Sequence, residues 1–212
     1  MGLLACKPSN NPMDQSVKLS SGVGDAVPNP SRYRRLIGKF LYLTLTRPDI
    51  SYSIYKLSQF MSAPKMPHLQ AAYKILKYFK KTPGQGLFLS ADSKLQLKCY
   101  YDADWAACMD TRRSISGFCI FLDESLISWK CKKQQVVSRS SAESEYKAMA
   151  TITSEIFWLL SMLSTFGVHH KQPATLYCDS KALYIAANPV YHKRTKHIEL
   201  VVISLEKRFK ME

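Results

Sequence analysis

The spacing of apolar residues changes near the middle of the chain. Between residues 32 and 80 apolar side chains recur every three or four positions, which is the period of an amphipathic helix. These stripes are interrupted at Arg47-Pro48-Asp49 and before Pro67, and proline ends a helix or begins one. The pattern therefore predicts three helices. Their apolar positions are Leu36, Phe40, Leu41 and Leu43; Ile54, Leu57, Phe60 and Met61; and Ala71, Ile75, Leu76 and Phe79.

Two segments without such a period frame these helices. Residues 1–31 are polar and rich in Ser, Asn and Pro, a composition typical of disordered chain. Residues 82–86 read Thr-Pro-Gly-Gln-Gly, the strongest turn signal in the sequence. We therefore predict a disordered lead-in over 1–31, a small helical segment over 32–86 and a second domain over 87–212.

Beyond residue 86 the apolar period becomes two, which is typical of strands. Strands are predicted at 87–89, 95–101, 117–122, 126–129 and 174–178. A long helix is predicted from Ser141 to about Thr165, where Gly167 ends it. Shorter helices are predicted over 180–187 and from about 195 onward. This order predicts an α/β fold, in which helices flank a mixed sheet.

The charge balance favours a polyanionic partner. Lys and Arg number 30 against 16 Asp and Glu, which gives a formal net charge of +14. A basic surface that serves only solubility is the alternative. The six cysteines include no C-x-x-C pair, so zinc-knuckle spacing is absent. We interpret them as reduced thiols. Neither a signal peptide nor a membrane span is evident, which predicts an intracellular protein, cytoplasmic or nuclear, with no membrane partner.

Acidic residues stand where predicted strands end. Asp102 and Asp104 close the strand that leads to Tyr101, and Asp179 follows Cys178. Converging carboxylates are the ligands with which two Mg²⁺ ions are held for phosphodiester hydrolysis. Asp102 is preferred because the apolar alternation stops there, but both acids lie on one face of a strand and spacing does not separate them. A turn or helix cap is the simpler role for Asp179.

The two acids that open the long helix can be separated. Ser140 and Glu143 have the S-x-x-E spacing of a capping box, which gives Glu143 a structural role. Glu145 lies about 200° further round the helix, beside the apolar Tyr146. A carboxylate on that buried side is costly unless it is paired or bound to metal. We therefore predict that Glu145 is a metal ligand.

Basic and hydroxyl residues cluster near these acids in sequence. Phosphate contacts would use such side chains, although solvated loops look similar. The predicted substrate-binding residues are Arg112, Arg113, Lys132, Lys133, Ser138, Arg139, Ser141, Ser180, Arg194, Lys196 and His197.

Long motifs in this chain resemble one family closely. The segments are D-A-D-W-A at 102–106, S-R-S-S-A-E-S-E-Y-K-A at 138–148, Y-C-D-S-K-A at 177–182 and A-A-N-P-V-Y-H-K-R-T-K-H-I-E at 186–199. They resemble the ribonuclease H domain of copia-type LTR-retrotransposon Pol polyproteins. Y-R-R-L-I-G-K-F-L-Y-L at 33–43 and T-R-P-D-I-S-Y at 46–52 resemble the segment that connects the reverse transcriptase of that family to its ribonuclease H.

The resemblance implies a ribonuclease H-like fold with about five strands. It implies hydrolysis of the RNA strand of an RNA–DNA hybrid with two Mg²⁺ or Mn²⁺ ions. Carried over residue by residue, the catalytic and metal-binding positions are Asp102, Glu145 and Asp179. The reverse-transcriptase portion of a Pol polyprotein is a further expected partner.

Two departures from the family pattern bear on activity. The chain has no Y-x-D-D polymerase motif, and no Asp follows Asp179, where the family has a fourth active-site Asp in a later helix. We therefore expect a C-terminally truncated fragment of Pol. Two functions remain open: a metal-dependent ribonuclease H, or a catalytically impaired relic that still binds nucleic acid.

Overall fold

The computed structural model describes residues 5–14, 16–168 and 173–178. The chain forms two compact units, Met1–Leu87 and Phe88–Glu212. The division falls one residue beyond the predicted boundary at 86. The helices predicted over 180–187 and beyond 195 lie outside the described residues.

Three helices form the first unit, as the apolar stripes predict. They are α1 (Pro30–Leu43), α2 (Ser51–Ser58) and α3 (Met66–Lys81), and the 3-10 turn Pro48–Ile50 leads into α2. A proline stands in the first two positions of α1 and α3, where its fixed φ suits a helix start and no backbone bond is lost. The buried stripes of all three helices share one apolar core.

The lead-in also belongs to this core, which differs from the disordered segment that its composition predicts. Met13, Leu19 and Val27 are buried among the helices. The N–H of Val27 donates to the carbonyl of Pro64 at 3.1 Å. Widely spaced apolar side chains in a polar segment can therefore fill gaps between helices, because each contributes burial without any local period.

A buried histidine holds the lead-in to the start of α3. The Nδ1 atom of His68 accepts the N–H of Lys65 at 2.9 Å, and its Nε2 atom lies 3.1 Å from the carbonyl oxygen of Ser20. The first bond places the ring proton on Nε2, which donates to Ser20. The ring also stacks on Phe60, with 3.8 Å between centroids.

A buried arginine ties the segment after α1 to the end of α3. The Nε and Nη2 atoms of Arg47 donate to the two carboxylate oxygens of Asp49 at 3.0 and 2.8 Å. Its Nη1 atom donates to the carbonyl of Thr82 at 3.1 Å, and the guanidinium lies 4.9 Å from the centre of the Phe79 ring. Such a bidentate pair is rigid because the planar fork matches the carboxylate.

The second unit is built on a mixed sheet, as predicted. Its described strands are β1 (Leu97–Asp104), β2 (Ile115–Leu122), β3 (Ser125–Lys133) and β4 (Thr175–Tyr177), in the order β3-β2-β1-β4. The β1–β2 and β2–β3 pairs are antiparallel, and the β1–β4 pair is parallel.

One long helix, α4 (Ser141–Thr165), covers one face of this sheet, with the bounds that the sequence predicts. The buried positions of β1 pack against it. These positions alternate along the strand because successive side chains point to opposite faces. The core residues are Leu97, Cys99, Tyr101 and Ala103 from β1, and Tyr146, Met149, Ile152 and Ile156 from α4.

The strand predicted at 87–89 is absent. Residues 87–89 have no strand conformation, and Phe88 and Leu89 are exposed. Three consecutive apolar residues do not alternate, so they carry no preference for one face of a sheet.

Helix α4 is also long and apolar enough to cross a membrane by length and composition. Core helices of globular domains meet the same criterion, and the first turns of α4 are buried against the sheet. This property of α4 is therefore weak support for a membrane span.

Candidate functional site

The end of β1 presents two carboxylates on its exposed face. Burial alternates along the strand, and Asp102 and Asp104 are exposed whereas Tyr101 and Ala103 are buried. Asp102 lies opposite Gly117 of β2. The two acids share one orientation, so strand geometry does not distinguish them, and neither does their spacing in the sequence.

Glu145 reaches β1 between these two acids. Its side chain is only 7% exposed, and its Oε1 atom accepts the backbone N–H of Ala103 at 3.3 Å. Ala103 separates Asp102 from Asp104 in the chain. The first turn of α4 therefore brings a third carboxylate to the end of β1. A carboxylate buried so deeply is costly unless it is paired or bound to a cation, and carboxylate oxygens are the ligands that hard divalent cations prefer.

Glu143, in contrast, completes the start of α4. Its N–H donates to the Ser140 hydroxyl at 3.1 Å, and its Oε2 atom accepts the N–H of Arg139 at 2.8 Å. Its Oε1 atom lies 2.7 Å from the ammonium of Lys147. These contacts satisfy N–H groups that a helix start leaves open, so the carboxylate of Glu143 is engaged in the fold.

Asp179 lies outside the described residues, one position after Cys178. In the parallel β1–β4 pair, Tyr100 is the partner of Tyr177, and Asp102 and Asp179 each stand two positions further along the chain. Within the described ranges there is no group of three or more His, Cys, Asp or Glu side chains placed to hold a metal. The three-carboxylate site therefore stays a prediction.

The predicted phosphate contacts fall into different environments. Arg112 is exposed in the turn between β1 and β2, with φ of 54°, and its N–H donates to the carbonyl of Cys108 at 2.7 Å. Arg113 is half-buried in the same turn, and Arg139 and Ser141 are exposed at the start of α4. The side chains of Arg112, Arg139 and Ser141 are open to a ligand.

Ser138 differs from this prediction because its hydroxyl is engaged within the protein. The residue is buried. Its Oγ atom donates to Oε1 of Gln134 at 2.9 Å and lies 3.2 Å from the ammonium of Lys147. The carbonyl of Ser138 accepts the indole N–H of Trp105 at 2.9 Å. Its role is to fix the loop before α4.

Lys132 and Lys133 close β3. Lys132 is exposed, and the ammonium of half-buried Lys133 lies 3.6 Å from the sulfur of Cys108. Burial raises the pKa of Cys108, but hydrogen bonding from Thr111 and Asp110 and the charge of Lys133 together lower it by more, so that the pKa lies below its ordinary value. The remaining predicted contacts, Ser180, Arg194, Lys196 and His197, lie outside the described residues.

A groove between the end of β3 and the flank of α4 was not predicted. It has a volume of about 380 Å³, and we call it the lysine groove. Its lining includes Lys130, Lys132, Lys133, Gln134, Lys147 and Thr151, together with apolar side chains such as Phe118 and Val136. Of these residues, Lys132 and Lys133 are among the substrate-binding residues predicted from the sequence. The sequence gives no indication that Gln134 lines a groove, because a single glutamine after a strand belongs to no recognisable motif.

Known proteins resemble this chain over most of its length. It is 44% identical over 199 residues to the retrovirus-related Pol polyprotein from transposon RE1 of Arabidopsis thaliana, a match to 93% of this chain and 14% of that protein. It is 34% identical over 204 residues to the Pol polyprotein from transposon TNT 1-94 of Nicotiana tabacum, 92% of this chain and 15% of that protein. This chain is homologous to the retrovirus-related Pol polyproteins of copia-like transposons.

The homologous region is a small part of those polyproteins, since the chain spans about 14% of the length of the RE1 protein. A shorter relative, the secreted RxLR effector protein 161 of Plasmopara viticola, is 40% identical over 128 residues, 60% of this chain and 90% of that protein. No family model matches the chain, and no solved structure matches it. The Pol polyprotein homologues suggest a retroelement-derived protein.

Proposed function

We propose that the second unit is a retroelement-derived ribonuclease H that hydrolyses the RNA strand of RNA–DNA hybrids. The proposal rests on the homology to Pol polyproteins and on the motif resemblance of 102–106, 138–148 and 177–182. The observation that carries it is the buried carboxylate of Glu145, which accepts the backbone N–H of Ala103, the residue that follows Asp102 in β1.

The donor set fits the metal that such chemistry requires. Asp102, Glu145 and Asp179 offer only carboxylate oxygens, the ligands that Mg²⁺ and Mn²⁺ prefer. These three residues would hold two divalent ions, which supply an activated water and neutralise charge on the leaving oxygen. The chain itself fixes Glu145 through the N–H of Ala103 and leaves Asp102 exposed to a substrate.

Cleavage of a hybrid with a labelled RNA strand, in Mg²⁺ and in Mn²⁺, tests the proposal. Asp102→Asn should abolish cleavage. Asp104→Asn tests whether the neighbouring acid on the same face of the strand is also required. Asp92→Asn, in the loop before β1, is the matched control, because it removes one carboxylate away from the end of β1. Loss of cleavage in Asp104→Asn but not in Asp102→Asn would assign the metal to the other acid.

Binding without cleavage is the second candidate function. One observation favours it: the lysine groove offers a basic surface that could bind phosphates without any metal-binding carboxylate. Retained hybrid binding with no cleavage in either metal would support this candidate and contradict the first.

A further inference from the structure

We propose that the lysine groove binds the phosphodiester backbone of a nucleic-acid duplex away from the scissile phosphate. The inference deepens the proposed function and rests on its substrate class. The groove lies on a surface of α4 that does not include Glu145. Lys147 follows Glu145 by two positions, which is about 200° round the helix, so the groove and Glu145 lie on different sides of α4.

Four lysines supply the charge of the groove, whose described lining also includes neutral side chains such as Phe118, Gln135 and Val136. Lys130, Lys132 and Lys133 come from β3 and Lys147 comes from α4, and none of the described residues that line the groove is acidic. Glu143 neutralises Lys147 in part through their 2.7 Å contact. The charges of Lys130 and Lys132 remain at the exposed mouth. Several phosphates along one nucleic-acid backbone can neutralise adjacent lysines together, whereas a single small anion cannot.

The spacing of the two exposed lysines suits a strand of phosphates. Lys130 and Lys132 pair with Phe118 and Ser116 in register, so they point to the same side of β3 as α4. Alternate residues of a strand lie about 6.6 Å apart. Two ammonium groups at this separation can contact neighbouring phosphates of one backbone, and no base edge is needed for such contacts.

One glutamine keeps the wall of the groove in place. The side-chain amide of Gln134 donates to Ser116 Oγ of β2 and to the carbonyl of Ser144 of α4, both at 2.9 Å. Its Oε1 atom accepts the hydroxyl of Ser138 at 2.9 Å. Three elements therefore meet at this one side chain. The backbone that carries the lysines is therefore held in place, which reduces the loss of conformational entropy on binding.

The test measures hybrid binding by the full chain in EDTA, where no metal-dependent cleavage interferes. The double variant Lys130→Gln with Lys132→Gln removes two exposed charges. The probe is a fluorescent RNA–DNA hybrid, and its affinity is followed over a range of salt concentrations. The matched control is Lys94→Gln with Lys98→Gln, which removes the same charge from the start of β1 and the loop before it.

We expect the groove variant to bind the hybrid about 10-fold to 100-fold more weakly near 0.1 M salt. The slope of log K against log salt should fall by about 2, because each lost phosphate contact removes about one unit. The control should keep the slope of the unchanged chain. An unchanged slope in the groove variant, or an equal loss in the control, would overturn the proposal.

Together with the cleavage assay in Mg²⁺ and in Mn²⁺, this experiment separates the groove from the ribonuclease proposal. A groove-dependent slope in a chain that never cleaves hybrid would support the groove and contradict the enzyme. Cleavage that requires Asp102 but not Lys130 and Lys132, with an unchanged slope of log K against log salt, would support the enzyme and contradict the groove. Circular dichroism of both double variants checks that the fold is retained.

Discussion

Replacement of Glu145 by Gln is the most direct test of the candidate site, and Glu143 offers a matched control on the same helical turn. Glu145→Gln keeps the length of the side chain and an oxygen for the N–H of Ala103, so the 3.3 Å contact can survive. It removes the charge that a divalent ion requires. Weakened metal sites typically lose about 10-fold to 100-fold in activity, and we expect at least about 100-fold for a direct ligand.

The stability of the two variants should move in opposite ways. Without metal, Glu145→Gln should be as stable as the unchanged chain or more so, because burial of an ionised carboxylate costs free energy. Glu143→Gln keeps its capping oxygen but loses the ion pair with Lys147. Such a helical pair contributes about 0.3–0.5 kcal/mol. Hybrid cleavage by Glu143→Gln should be unchanged.

Thermal unfolding with and without Mg²⁺ gives a readout besides activity. Metal at about 100 times its Kd adds about 2.7 kcal/mol to the free energy of unfolding, and Glu145→Gln should lose most of this gain. The reasoning is refuted if Glu145→Gln cleaves hybrid normally. It is also refuted if the variant loses more than about 1 kcal/mol of stability without metal, since Glu145 would then be a structural acceptor.

Three further predictions concern the first unit. Arg47→Lys should lower its free energy of unfolding by about 2–3 kcal/mol in a urea titration, because a buried bidentate pair is lost, whereas exposed Arg35→Lys should not. Burial raises the pKa of Asp49, but the hydrogen bonds from Arg47 and Tyr78 and the charge of Arg47 together lower it by more, so the net pKa is below its ordinary value. This contribution to stability is therefore present above about pH 3.9. It is lost as the pH falls through the lower folded-state pKa, and Asp49→Asn should flatten the acid limb of the stability profile. His68→Ala should cost about 2–4 kcal/mol, since two hydrogen bonds and the stack on Phe60 disappear. The lead-in should then be cut faster by trypsin, and unchanged proteolysis would contradict its attachment through His68.

The sequence predicted those elements in which a period and an end signal agree. Helix α4 has an apolar stripe, a cap at Ser140 and Gly167 after its end, and its bounds match the prediction. The prediction of a disordered lead-in was wrong, because this segment has neither a period nor an end signal. Met13, Leu19 and Val27 are spaced irregularly, and only the assembled helices show that there is space for them.

The candidate site could be predicted in part for the same reason. Helical geometry separated Glu143 from Glu145, and the structure gives the first a capping role and places the second beside β1. Strand geometry could not separate Asp102 from Asp104, and both are exposed on one face. The lysine groove depends on how Gln134 joins three elements, which is a tertiary property.

The position of β3 gives its lysines another consequence. In the described sheet β3 is the outermost strand on its side, and an outer strand offers N–H and C=O groups to any other strand that approaches. Lys130, Lys132 and Lys133 crowd the last four residues of β3. Their mutual repulsion opposes the addition of the same strand from a second copy. Replacement of these lysines by uncharged residues would therefore make the chain more prone to aggregate through β3.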